Sequence, residues 1–153
     1  MLSQKSRYAL RALAVLAEHE EPAPLSIQEI ATRADAPRKF LEAILLELRR
    51  QGILKSARGK LGGYQLALPA HEIELSRVIR VLDGPLAPIP CASLTAYSPC
   101  EDCPDPERCA TRRVMREVRD AIAEVLDERT VADLVAPVSR RRRLLRAPAR
   151  QRG

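Results

Sequence analysis

Four cysteines, Cys91, Cys100, Cys103 and Cys109, stand in the spacing C-x8-C-x2-C-x5-C. Six of the twelve prolines lie between Pro85 and Pro106 in the same stretch, so neither a regular helix nor a central strand can form there. A segment without apolar periodicity needs cross-links, which a metal or cluster bound by thiolates would supply. A thiol redox switch wants a cationic neighbourhood, yet residues 81–107 contain Asp83, Glu101, Asp102, Asp105 and Glu107 and no Lys or Arg. Those surroundings disfavour a bare thiolate and favour a metal cation. Only one CxxC pair exists, Cys100 to Cys103, and His19 and His71 are distant, so zinc would be held by four thiolates. The same four thiols could hold a [2Fe-2S] or [4Fe-4S] cluster, although the closely spaced bacterial ferredoxin run is absent. The residues alone leave zinc and iron–sulfur both open.

The elements preceding this loop read as a DNA-binding lobe. Tyr8, Leu10, Leu13, Ala14, Leu16 and Ala17 form a helical stripe over Ser6 to His19. Ser26 and Glu29 make a capping-box pattern at the start of a second, short helix bearing Ile27, Ile30, Ala31 and Ala34. After a tight turn at Asp35-Ala36, Pro37 suits a first helical position, and Phe40, Leu41, Ile44, Leu45 and Leu48 form the apolar face of a third helix that stops at Gly52. Two short helices joined by a tight turn are a helix-turn-helix pattern, whose second helix would present Arg38, Lys39, Glu42 and Ala43 to the major groove. Alternating strands over 53–56 and 63–68 follow, joined by a basic glycine-bearing turn, which is the pattern of a wing. Arg58 and Lys60 can reach phosphates or enter a minor groove, and Gly62 and Tyr64 complete the candidate DNA-binding set.

A further amphipathic helix is expected over Ser76 to Leu82, packed on this lobe. Glu107 to Asp127 runs without Pro or Gly, with Val114, Val118, Ala121 and Val125 in a stripe flanked by Met115, Ile122 and Leu126. It reads as a homodimerisation helix, extending through residues 107–129, because a single winged helix has little surface to cover so long a stripe. Thr130 to Asp133 would cap a last short helix.

At 153 residues the chain is one globular domain or two small lobes. It has no apolar run of the roughly 18–20 residues needed to span a bilayer and no signal-peptide pattern, so a cytoplasmic protein with no membrane partner is expected. Net charge is +6, but residues 1–68 carry +4, residues 69–139 carry −5 and the tail from 140 to 153 carries +7. The lobe with the wing suits a polyanion, and the acidic lobe with the cysteines suits a metal. Four scattered aromatics offer no stacking platform, so no RNA partner is expected. No arrangement of nucleophile and base, HExxH or phosphate-binding glycine loop indicates an enzyme.

The sequence from about Leu2 to Leu134 resembles the Rrf2 family of winged-helix regulators, in its IscR/NsrR/RirA-type iron–sulfur branch. The resemblance rests on residues 6–13 (SRYALRAL), 40–42 (FLE), 48–54 (LRRQGIL) and 58–64 (RGKLGGY), followed by the cysteine loop and long helix in order. It implies a homodimer on double-stranded DNA with a palindromic operator, acting as a repressor whose cluster senses iron, redox state or nitric oxide. It also implies cluster ligation by Cys91, Cys103 and Cys109, and operator discrimination by Glu42. The position where IscR-like members carry a histidine ligand holds Arg112, and Arg7 and Tyr8 occupy the neighbourhood of the NsrR-like aspartate, so Cys100 is the candidate fourth ligand.

The expected fold class is mainly α: a winged helix-turn-helix with a small β-hairpin wing over residues 1–83, a cysteine-rich cluster-binding loop over 84–110, dimerisation and terminal helices over 107–135, and a basic tail over 136–153. The alternatives to an iron–sulfur-controlled regulator are a winged-helix protein with structural zinc and a small iron–sulfur redox or assembly protein that does not act on DNA.

Overall fold

The computed structural model describes residues 2–19, 22–59, 62–101, 103 and 105–136. Lys60 and nearly all of the arginine-rich tail lie outside the described residues.

Helix α1 (Gln4–Glu18) begins where Ser3 accepts a hydrogen bond from the Ser6 amide, and buries Ala9, Ala12, Leu13 and Leu16. Helix α2 (Ile27–Arg33) opens on the expected capping box: the Glu29 amide donates to the Ser26 hydroxyl, and the Ser26 amide donates to the Glu29 carboxylate at 3.0 Å. The turn to helix α3 (Arg38–Arg50) passes through Asp35 at φ +47°. Pro37 is the residue before the helix, not its first member, because its ψ of 127° keeps it extended. Leu41, Ile44, Leu45 and Leu48 are buried as the periodicity requires, whereas Phe40, expected in the same face, is 61% exposed. At about 100° per residue, Phe40 falls on the edge of that stripe, and α1 leaves the edge open.

Strands β1 (Leu54–Ala57) and β2 (Gly63–Leu66) form an antiparallel hairpin, with Leu54 opposite Leu66 and Ala57 opposite Gly63. Tyr64 and Leu25 exchange two backbone hydrogen bonds, of 2.8 and 3.1 Å, that fasten the hairpin to the entrance of the helix-turn-helix. That approach requires glycine at 63, since a Cβ there would lie 2.1 Å from the Leu25 carbonyl oxygen.

Helix α4 (Leu75–Asp83) packs across α1 and α3. Its last residue, Asp83, receives the Ser3 hydroxyl and amide, joining the end of α4 to the start of α1. After an irregular stretch holding one 3-10 turn, Pro90–Ala92, helix α5 (Ala110–Asp127) begins three residues later than expected, because Cys109 occupies its N-cap. Helix α6 (Val131–Val135) returns to the N-terminal lobe: Val131 is fully buried, its amide donates to Ile73 and the Leu75 amide donates to Arg129. The architecture is thus mainly α with a two-stranded wing.

The Ser26 hydroxyl and amide hold the Glu29 carboxyl below the usual glutamate range. A depressed folded-state pKa gives stability that is fully present above the unfolded pKa and is lost as pH falls through the folded value. Ser26→Ala is therefore expected to lower unfolding stability at neutral pH by about 1 kcal/mol, the usual cost of a lost helix N-cap. In urea titrations at a series of pH values, the gap from the parent protein should narrow on acidification below the ordinary glutamate range.

Candidate nucleic-acid interface and cysteine site

The N-terminal turn of α3 exposes Arg38, Lys39, Glu42 and Ala43. Arg38 and Glu42, one turn apart, form an ion pair at 3.1 Å, so the cation and the carboxylate occupy one ridge of the helix. At the other end of α3, Arg49 donates to the Ser56 hydroxyl of β1 at 3.2 Å, tying the helix to the wing. Arg58 is exposed at the start of the turn, and Gly59 takes φ +108°. The Gly62 amide donates to the Gly59 carbonyl at 2.9 Å, and a Cβ on Gly62 would lie 2.6 Å from the Ala57 carbonyl oxygen, so Gly62 makes the turn sterically possible. Tyr64 is half-buried, packs against the core and carries the Leu25 bridge. Helix and wing therefore present Arg38, Lys39, Glu42 and Arg58 from one lobe.

The cysteines form two neighbouring pairs. Cys91 is buried on the 3-10 turn, with its sulfur 3.5 Å from that of Cys100. The Cys103 and Cys109 thiols interact with each other. Among the described residues, no three Cys, His, Asp or Glu side chains converge as ligands of a single metal ion.

Hydrogen bonding to Cys91 pushes the Cys100 thiol pKa up, and burial does the same to Cys103. Cys109 differs. The Arg112 amide donates to its sulfur at 3.4 Å and pulls its pKa down, assisted by its place at the positive end of an 18-residue helix. The absence of Lys and Arg from residues 81–107 therefore understates the cationic character of the site, because α5 folds Arg112 back over the loop.

Arg112 and Arg119 organise this loop. Arg112 donates to the Cys91 carbonyl at 3.0 Å, to the Pro106 carbonyl at 3.1 Å and to Glu107 at 2.8 Å, and its guanidinium carbon lies 5.5 Å from the centre of the Tyr97 ring. Two turns on, Arg119 is buried beneath the same 3-10 turn, donates to the Ala92 carbonyl and pairs with Asp120. Sequence reasoning passed over Arg119. Its signal was the seven-residue spacing from Arg112, which places both on the face of α5 that also holds half-buried Met115, Ile122 and Leu126. The flanking face exposes Val114, Val118 and Val125.

Removing Arg119 should leave the buried Ala92 carbonyl without its donor, which costs about 1–3 kcal/mol. Arg119→Ala is expected to lower the thermal midpoint and to speed iodoacetamide alkylation of Cys91 in the metal-free protein, followed by peptide mass spectrometry. An unchanged Cys91 rate would show that the turn stands without the arginine.

Among the described residues no helix is long and apolar enough to cross a membrane. A family profile described as Rrf2, iron-dependent transcriptional regulator, matches residues 2–137. An rrf2-like HTH-type transcriptional regulator of Rhodobacter capsulatus is 44% identical over 139 residues, covering 89% of this chain and 93% of the relative. The structure of CymR, described as the global cysteine regulator of B. subtilis, aligns with a TM-score of 0.71 at 35% identity, covering 88% of this chain and 95% of that one. T. potens IscR aligns with a TM-score of 0.68 at 33% identity, covering 88% and 85%. The family and these relatives are regulators of transcription, not enzymes. With its matching profile, its relatives and its winged lobe, this chain belongs to the Rrf2 family of transcriptional regulators.

Proposed function

We propose that this chain is a homodimeric repressor whose affinity for a palindromic operator is set by an iron–sulfur cluster held by Cys91, Cys100, Cys103 and Cys109. One observation carries the reading: α5 grips the cysteine-bearing turn through Arg112 and Arg119 while presenting an exposed valine stripe on a flanking face. Exposed apolar side chains in such a row mark an interface, and a second copy of α5 would cover them.

The donor set fits a cluster. Four thiols from one short segment, two of them with sulfurs 3.5 Å apart, are the donor number that a [2Fe-2S] or [4Fe-4S] cluster takes. When bound, the cluster supplies a metal–thiolate cross-link that is gained or lost with iron or oxidant. The chain's own residues carry the rest. A shift of Cys91 moves the carbonyls held by Arg112 and Arg119, these arginines move α5, and α5 sets the distance between the two recognition helices. Half-sites lie about 34–36 Å apart on DNA, so a change in that distance changes affinity.

A second reading, a regulator of this fold without a metal, is favoured by the absence of a three-ligand convergence among the described residues and by the likeness to CymR. Anaerobic purification with an absorption spectrum and iron, sulfide and zinc analysis separates the two. A coloured protein with iron and sulfide is expected, lost in Cys103→Ala and Cys109→Ala, with Cys100→Ala showing whether that thiol is the fourth ligand. A colourless protein with one zinc per chain, or with no metal, would remove the cluster.

For DNA, Arg58→Ala should weaken binding to all duplexes alike and reduce the slope of log affinity against log salt by about 1. Glu42→Ala should change which sequences are preferred, because a carboxylate accepts from cytosine N4 and repels phosphate. If Glu42→Ala altered only overall affinity in competition assays, Glu42 would not read bases.

A further inference from the structure

We infer that Phe40 reads the C5-methyl group of a thymine in the major groove, with Tyr8 as its positioning residue; the inference rests on the DNA-binding reading above. The chain's single phenylalanine is 61% exposed on the third residue of the recognition helix, between Lys39 and Leu41 and two residues before Glu42. Leaving so large an apolar ring in water forgoes burial that the neighbouring leucines of α3 achieve. The ring is nevertheless held in place. Its centre lies 6.1 Å from that of Tyr8, with the planes inclined at 46°.

Tyr8 is itself fixed on three sides. It packs against the core, its hydroxyl receives Gln4 at 2.7 Å, and the Arg11 guanidinium carbon lies 5.0 Å from the centre of its ring. Arg11 is in turn drawn to Asp35 at 3.4 Å. Phe40 is thus braced on its α1 side and open on the other.

Its place on the helix gives it a distinct role. Phe40 and Glu47, two turns apart, share the flank facing α1, where Glu47 pairs with Lys5 at 2.6 Å. Arg38 and Glu42 lie on another flank. The recognition helix therefore offers a polar reader on one side and an apolar reader on the other.

Exposed Lys39 adjoins Phe40 along α3, and exposed Arg7 and Arg11 flank Tyr8 on α1, so the occupant of this surface carries negative charge as well as an apolar point. A major groove provides both: phosphates at its edges, and on its floor one apolar group, the pyrimidine C5-methyl. Thymine and 5-methylcytosine share that methyl, and thymine is the source in unmodified DNA.

The test selects duplexes from a randomised library with the full-length protein, then replaces each thymine of the enriched duplex in turn by deoxyuridine, which lacks only the methyl. In fluorescence anisotropy, one thymine in each half-site should lose about three- to ten-fold in affinity on replacement, the worth of one buried methyl contact. Phe40→Ala should bind both forms equally. Phe40→Leu should retain part of the discrimination, Tyr8→Phe most of it and Tyr8→Ala little. Changing the paired cytosine neighbours to 5-methylcytosine should not restore binding to deoxyuridine duplexes. Circular dichroism should show Phe40→Ala folded, since the side chain is exposed.

Equal wild-type affinity for thymine and deoxyuridine at every position, with specific and salt-dependent binding intact, would overturn the role of Phe40 alone. So would discrimination that survives in Phe40→Ala. Enrichment of no duplex would overturn the DNA-binding reading and this inference with it.

Discussion

The hydrogen bond from the buried Arg119 guanidinium to the Ala92 carbonyl joins α5 to the turn that carries Cys91. A guanidinium below a turn is costly unless its donors are satisfied, and here Ala92 and Asp120 satisfy them. Arg112 repeats the connection one residue earlier, at Cys91. Because α5 is one continuous 18-residue helix, the arginines that hold the cysteine turn and the valines of the exposed stripe share a single element. The Arg80–Asp127 pair at 3.0 Å attaches the far end of α5 to α4, and through α4 to the winged lobe.

The winged lobe depends on a different constraint, the close approach of two backbones. Gly63 lets β2 lie against Leu25, and the resulting pair of hydrogen bonds sets the hairpin relative to α2 and α3. Arg49 adds a side-chain tie between α3 and β1. Wing and recognition helix consequently meet a ligand as a single surface. The wing adds the exposed charge of Arg58, and the first turn of α3 adds exposed Lys39 and the paired Arg38 and Glu42.

Much of this was legible along the chain. The Ser26–Glu29 capping box, the leucine stripe of α3 and the valine stripe of α5 follow from side-chain type and helical period, which are local properties. The boundaries were less legible. Pro37 stays extended outside α3, and Cys109 caps α5 with its sulfur, a use of cysteine that no propensity scale anticipates. Val131 lies in a helix of five residues, too short to show a period, yet it is fully buried because backbone bonds to Ile73 draw it into the core.

The sequence by itself determined the helical and strand segments, the uneven charge, and the gathering of four thiols within nineteen residues, because each is a matter of residue type and spacing. Tertiary structure decided which edge of a stripe is covered and which charges arrive from elsewhere. Phe40 is open because α1, through Tyr8, covers only one side of its ring, and Arg112 and Arg119 reach the cysteine turn because α5 packs against it. Periodicity describes one element at a time, whereas burial and ion pairing depend on the distance between elements.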